Sequence, residues 1–285
     1  PVPDTMNRIA DTVEFSPGFY ATPNHRFWAR PDGREWRNET RRYQRVLGAP
    51  KWVEIEQAQG SFLAQPISVP SIAEPPSMPA GITYWHLGRW LADGYIRAGG
   101  QPVIAVGKQK FDRDTHLFDD RHWGVSEERT AFKFHYRDGS AGSWFSAHFG
   151  EHADGKTIPA WIFSASEQLR REFLAGYWSG DGYTFGKQSM RSASVSPCLT
   201  VGIRTLAESL GYTTSLHYNR VEPKKVIEGR VVNQRDWWSV TSTPDSGRYT
   251  STIGNHRWSK LRKQPLRSGL RRVYDLTVAG DHSFI

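Results

Sequence analysis

Cysteine is almost absent: Cys198 is the single thiol in 285 residues. One thiol excludes an internal disulfide and fits a reducing compartment. Long apolar runs are also missing. Nothing approaches the 18 or so consecutive residues of a membrane span, so no membrane partner is expected. The start lacks the charged, apolar and small-residue pattern of a secretory signal. Its first residues, PVPDT, read as the middle of a longer protein. An intracellular location is the expectation.

Charge excess is missing from the first 165 residues, which hold equal numbers of acids and bases. The whole net charge of +8 therefore falls in residues 166–285, with 18 basic groups against 10 acidic. Such an imbalance suits a polyanionic partner, with a basic solvated surface as the bland alternative. The chain is 38% apolar and holds 12 Trp, so it can bury real cores.

Residues 64–81, AQPISVPSIAEPPSMPAG, form the clearest linker. The segment before it is rich in Trp and Arg, and WVEIEQ alternates as a strand does. After it, ITYWHLGRWLADG reads as a helix, QPVIAVGKQ and TAFKFHYRDG as strands, and SAGSWFSAHFG as a second helix. Ser164 and Glu167 have capping-box spacing at the head of ASEQLRREFLAGYWSGDG. Ser196-Pro197 opens another helix, with Gly211 just past its end, and RVVNQRDWWSVTST is a late strand.

An internal repeat emerges. Residues 86–95 read HLGRWLADGY and residues 174–183 read LAGYWSGDGY. Both carry Gly third, Trp fifth, then Asp-Gly-Tyr, with Asp93 and Asp181 88 residues apart. Glycine inside a helix costs roughly 0.5–1 kcal/mol against Ala. Gly88 and Ala92 on one helix, and Gly176 and Gly180 on the other, are spaced i, i+4. They form smooth stripes that let two backbones approach, which offsets that cost by van der Waals contact. Packing the helices sets Asp93 and Asp181 side by side. Adjacent carboxylates repel unless something positive lies between them. Mg²⁺ takes one or two carboxylates and several waters, and a site of this kind suits in-line phosphoryl transfer. The alternative is a pair of similar helices in which each Asp-Gly is merely a stop.

These motifs resemble the LAGLIDADG homing endonucleases in their single-chain, two-repeat form. The resemblance implies an α/β (α+β) fold: a pseudo-twofold pair of αββαββ repeats whose β-sheets bind double-stranded DNA. It implies Mg²⁺ at Asp93 and Asp181, helped by the backbone carbonyls of Ala92 and Gly180, and cutting of both strands. GKTIPAWIF, residues 155–163, resembles the Lys-x-Ile-Pro segment of intein-borne members and makes Lys156 catalytic. Lys260 is the expected second lysine, with Lys263, Lys224 and Lys225 as competitors. ATPNHRFWAR resembles a splicing block with Thr22 and His25, and RVYDLTVAGDHSFI a late block with Asp275 and His282. The resemblance thus divides the chain into part of a Hint splicing domain (1–75), repeat 1 (82–164), repeat 2 (165–258) and the rest of the Hint domain (259–285). Without a nucleophile block or a terminal His-Asn, the chain as written is not expected to splice itself. A monomer in the cytoplasm of a microbial or phage-infected host is the family-level expectation.

In FKFHYR, residues 132–137, Phe132, Phe134 and Tyr136 face one way and Lys133, His135 and Arg137 the other. A two-stranded ribbon fits the major groove. Candidate DNA contacts in the first repeat are Arg97, Gln101, Lys108, Gln109, Lys110, Arg113, Lys133, His135 and Arg137. In the second they are Thr184, Lys187, Ser189, Arg191, Arg230 and Gln234. Because the repeats differ, the target is expected to be long and asymmetric. LRKQPLRSGLRR, residues 261–272, is a candidate for holding flanking phosphates.

Two other patterns carry little. HFGEH, residues 148–152, has His-x-x-Glu-His metalloprotease spacing, but Gly150 interrupts it. Asn24-His25 and Asn255-His256 lack the metal finger of an HNH nuclease. Two rival functions remain open: a DNA- or RNA-binding module of maturase type that has lost cutting, and a protein-splicing element whose nuclease is inert.

Overall fold

The computed structural model describes residues 4–16, 18–66, 74–185, 189–221, 224–227, 230–244 and 250–277. The strands at 224–227 and 230–233 and residues 275–277 are described by backbone alone. The chain divides into two units. One is built from both ends, 1–67 and 245–285, and the other from 68–244.

The first unit is β-rich. Its strands are β1 (Asp4–Ser16), β2 (Phe19–Ala21), β3 (Arg26–Arg30), β4 (Asp32–Arg37), β5 (Arg42–Leu47), β6 (Lys51–Glu54) and β7 (Phe62–Pro66). Late in the chain β18 (Thr250–Ile253), β19 (His256–Lys260) and β20 (Leu266–Thr277) complete it. The order β18-β19-β7-β3-β6 interleaves early and late strands in one sheet. Strand β1 runs antiparallel to β20 from Asp4↔Thr277 to Glu14↔Leu266. Strands β18 and β19 thus belong to this unit's sheet, whereas the sequence reading ends the second repeat at 258. Val13, Ile55 and Ala58 form one small core, and Phe62, Ala64 and Trp258 another.

The second unit carries helices α1 (Tyr84–Asp93), α2 (Phe111–Asp114), α3 (Ala141–Phe149), α4 (His152–Gly155), α5 (Ala160–Ser164), α6 (Glu167–Asp181) and α7 (Pro197–Ser209). Its first sheet joins β8 (Gly94–Ile96), β9 (Pro102–Gly107), β10 (Trp123–Glu127) and β11 (Ala131–Tyr136). Its second joins β12 (Tyr183–Phe185), β13 (Ser189–Ser194), β14 (Tyr212–Asn219) and β17 (Trp237–Pro244). Hairpin β15 (Lys224–Ile227) and β16 (Arg230–Asn233) precedes β17, so the expected late strand is two strands. The first sheet runs β8-β9-β11-β10 and the second β12-β13-β17-β14. Numbered within each sheet, both orders are first, second, fourth, third. The repeated motif is therefore matched by a repeated topology, each sheet following its own motif helix.

The alternating pattern of β11 buries Phe134 and Tyr136. Phe134 stacks on Phe118 at 3.8 Å between ring centres, and Phe132 meets Phe111 at 3.9 Å. These rings join Leu87, Trp90, Phe145, Phe149, Phe173 and Tyr177 in the unit's main core. The opposite face is less open than its polar residues suggest. Lys133 and His135 are half-buried there, and Val103, paired with His135, is fully buried.

Candidate functional site

Two capped helices build the site. At the head of α1, Thr83 Oγ1 accepts from the His86 N–H (3.5 Å), and His86 Nδ1 accepts from the Thr83 N–H (3.2 Å). Histidine thus fills the place that Glu or Gln takes in a capping box. Helix α6 starts at Ser166, whose Oγ accepts from the Leu169 N–H at 3.4 Å. The expected cap, Ser164, instead ends α5.

The glycines allow α1 and α6 to touch backbone to backbone. A Cβ on Gly88 would overlap the Phe173 carbonyl and stand 2.8 Å from Tyr177 N. A Cβ on Gly176 would overlap the Trp85 carbonyl. This crossing fixes where the helices end: Asp93 is the last residue of α1 and Asp181 the last of α6. The following glycines return their N–H to Trp90 and Trp178, and both backbones leave extended.

The two acids sit in different surroundings. Burial pushes the Asp181 carboxyl up to about 6, and the charge of Asp93 adds to the rise. Lys156, Arg89 and Lys110 offset part of it. Lys156 is buried, and burial lowers its ammonium to about 8 against the pull of Asp181 and Asp93. These mutual effects place both carboxylates and Lys156 in one electrostatic cluster.

The lysine of the Lys-x-Ile-Pro segment thus lies at the site. Its Nζ donates to the carbonyls of Trp90 (3.1 Å), Leu91 (2.9 Å) and Gly94 (2.9 Å), the C-terminal turn of α1. A cation there complements the negative helix end. Ser196, the cap of α7, holds the Lys156 carbonyl by a 2.7 Å bond from its Oγ and accepts from the Leu199 N–H.

The other helix end has its own cations. Lys110 Nζ donates to the carbonyls of Ser179 (3.0 Å) and Gly180 (2.6 Å), and Arg113 Nη2 to Ser179 (3.0 Å). In the sequence reading both were DNA-contact candidates. Nothing in KQKFDR marks them as helix-end partners, because their placement depends on the segment after β9 meeting the end of α6. Lys260, the expected second lysine, belongs to the first unit, where Nζ pairs with Asp32 at 2.5 Å.

Arg89 is the site residue that the motif reading missed. Fully buried, it pairs with Asp93 one turn on, donates from Nη2 to the Ala105 carbonyl (2.9 Å) and faces Asp114 at 3.8 Å. Asp114 is itself held by Arg113, through bonds of 2.6 and 2.9 Å. An arginine inside an otherwise apolar helix stretch was the available signal.

Two clefts open onto the acids. One, of about 260 Å³, is lined by Asp181, Lys156, Ala92, Ser194 and Trp237 among others. The other, of about 490 Å³, is lined by Asp93, Lys156, Glu151, His152 and Tyr95 among others. Lys156 and Ala92 border both. Among the described residues no group of three or more His, Cys, Asp or Glu is placed to hold a metal ion. The HFGEH stretch is broken as expected: α3 ends at Phe149, Gly150 takes φ +76°, and Glu151 accepts from Ser146 Oγ at 2.6 Å.

Several other DNA-contact candidates make internal bonds. Lys108 pairs with Glu127 (2.5 Å) and Lys133 with Glu128 (2.6 Å). Arg137 Nε donates to the Asp120 carbonyl, Gln101 Nε2 to the Arg137 carbonyl, and Arg191 Nε to Thr241 Oγ1. Ser189 shares a hydrogen bond with Thr243, and Thr184 approaches the Met190 sulfur. Arg97 lies in the turn after β8, Gln109 follows β9, and Gln234 is half-buried before β17. Lys187 and His282 lie outside the described residues, as do the side chains of Arg230, Asp275, Lys224 and Lys225. Thr22 and His25 form a turn in the first unit, His25 N–H donating to the Thr22 carbonyl at 2.9 Å.

Residues 168–242 match the family model of a LAGLIDADG-like domain. The chain carries a LAGLIDADG-like domain. The match covers the second motif helix and the second sheet. The ATP-dependent DNA helicase Hel308 of Thermococcus kodakarensis (strain ATCC BAA-918 / JCM 12380 / KOD1) is 25% identical over 227 residues. That alignment takes in 70% of this chain but 20% of the helicase, so the chain spans about a fifth of that relative. Solved structures of the homing endonuclease I-DmoI are also similar. Its complex with DNA and Mn aligns at TM-score 0.38 and 13% identity, over 57% of this chain and 89% of that one. A complex with DNA and Ca aligns at TM-score 0.39 and 12% identity, over 57% and 83%. No helix among the described residues is long and apolar enough to cross a membrane.

Proposed function

We propose that the LAGLIDADG-like unit is a site-specific endonuclease that hydrolyses both strands of double-stranded DNA at a long, asymmetric target. One observation carries this reading: the closing acids of two glycine-packed helices share one electrostatic cluster with a buried lysine. A lone helix-ending Asp-Gly needs no such partner.

The donor set suits a hard divalent cation. Burial holds Asp181 raised in spite of Lys156, Arg89 and Lys110, and Asp93 adds a second negative charge beside it. Mg²⁺ would be held by these two carboxylates, with the carbonyls of Ala92 and Gly180 nearby. When bound it would supply a water of lowered pKa and stabilise charge on the phosphate. The chain's own groups do the rest. Lys156 neutralises the end of α1 and borders both clefts. With its three N–H donors on backbone carbonyls, it favours the developing charge of a scissile phosphate through its positive charge. Lys110 stands at the α6 end in the same relation, and takes the second-lysine role that the sequence reading gave to Lys260. The polar face of each sheet binds DNA, through phosphates first and base edges second.

We further read the first unit as the splicing part of an intein. Its support is a β-rich unit assembled from both chain ends, with the other unit inserted between them in sequence, and an alignment confined to a fifth of a larger protein.

The test is cleavage of a library of candidate insertion sites in plasmids with Mg²⁺, for the parent and for Asp181→Ala. Cutting by the parent alone supports the nuclease. Equal DNA binding by both without cutting replaces it with a binding module.

A further inference from the structure

The two motif helices differ at one internal position. Four residues before its acid, α1 has Arg89, while α6 has Tyr177; both side chains are buried. Only the first acid is directly ion-paired from its own helix, since Arg89 reaches back to Asp93, whereas Lys156, Arg89 and Lys110 act on Asp181 by charge. The neighbouring helix is shaped to admit it. A Cβ on Gly180 would overlap Arg89 Nη1 and stand 2.5 Å from Ala92 Cβ and 2.8 Å from Asp93 Oδ2. At the equivalent place α1 carries Ala92, which needs no such clearance. Arg89 is also held from behind, by the Ala105 carbonyl and by the Asp114–Arg113 pair. Swinging away would give up the Ala105 bond and separate it from Asp114, which is 3% exposed and also held by Arg113.

We propose that Arg89 is a positioning residue that makes the paired acids unequal toward divalent metal. This rests on the metal-dependent nuclease reading. Asp93 is oriented by Arg89 before metal arrives, and a cation there must share or displace the guanidinium. Asp181 has no arginine of its own helix to displace. The Asp93 side is thus the weaker metal ligand and fills second. The Arg-on-Gly180 packing records this asymmetry in the fold.

Mn²⁺ alone, titrated into the DNA-free protein and followed by electron paramagnetic resonance, tests it. The parent should show two unequal affinities. Arg89→Gln should tighten the weaker one about tenfold, the scale of a charge-assisted hydrogen bond that metal no longer displaces. A purely structural arginine would move neither affinity upward. On a cleavable plasmid, the lag between nicked and linear product should shorten in Arg89→Gln. Equal Mn²⁺ affinities in the parent, or a weaker second site in a folded Arg89→Gln, overturn the inference while leaving the nuclease reading intact. Failure of the parent to bind Mn²⁺, with Asp181→Ala behaving identically, overturns the nuclease reading and this inference together.

Discussion

Gly176 rests on the backbone of Trp85, so closely that a Cβ would overlap the Trp85 carbonyl oxygen. Gly88 makes the reciprocal contact with Phe173. Alanine would gain about 1 kcal/mol of helix propensity at either place. That gain loses here, because the obstructing atoms are backbone and cannot rotate away. Gly176→Ala and Gly88→Ala are each expected to destabilise the second unit by about 1–3 kcal/mol. A lower urea midpoint checks this. An unchanged or higher midpoint would mean that the helices do not cross at these glycines.

Asp181 gives the metal-free protein a pH signature. Its folded value, about 6, lies above the ordinary 3.8. The folded state therefore binds more protons between those values, and stability falls as pH rises from about 4 to about 6. Asp181→Asn should flatten that decline. Denaturation midpoints in chelator across this window measure it, and an equal slope in the variant would count against the burial of the acid.

Lys156 acts at the opposite end of the scale. Its folded value, about 8, lies below the ordinary 10.5. The unfolded chain then holds the extra proton between these values, so stability rises with pH from about 8 to about 10.5. Lys156→Met should remove that rise and abolish cleavage under the proposed function. A variant that cuts DNA at the parental rate would remove Lys156 from the chemistry.

Ser196 links a helix cap to the site, since one hydroxyl donates to the Lys156 carbonyl and accepts from the Leu199 N–H. Ser196→Ala should cost about 1–2 kcal/mol, the range of a lost N-cap. It should also lower cleavage more than that loss of folded protein explains, because the Lys156 backbone is freed. Activity per folded molecule, measured well below the melting temperature, separates the two effects.

The sequence by itself determined the elements of this protein whose signals are local. The periods of ITYWHLGRWLADG and of FKFHYR, the Ser196-Pro197 start and the paired Gly-x-Trp-x-x-Asp-Gly pattern each act within a few residues. They were enough to place α1, α6, α7 and β11 and to set Asp93 and Asp181 at helix ends. The glycine stripes even stated how the helices would pack, because only a close backbone approach offsets glycine in a helix. The partners of those acids were decided by the tertiary structure. Lys110 and Arg113 reach the site because the end of α6 meets a segment from far along the chain, and no periodicity encodes that meeting. Lys260 follows the second motif at a plausible distance, yet it was drawn into the other unit by strand pairing between β19 and β7. Hydrogen-bonded pairing between distant strands leaves no short-range trace, so sequence spacing could not foresee it.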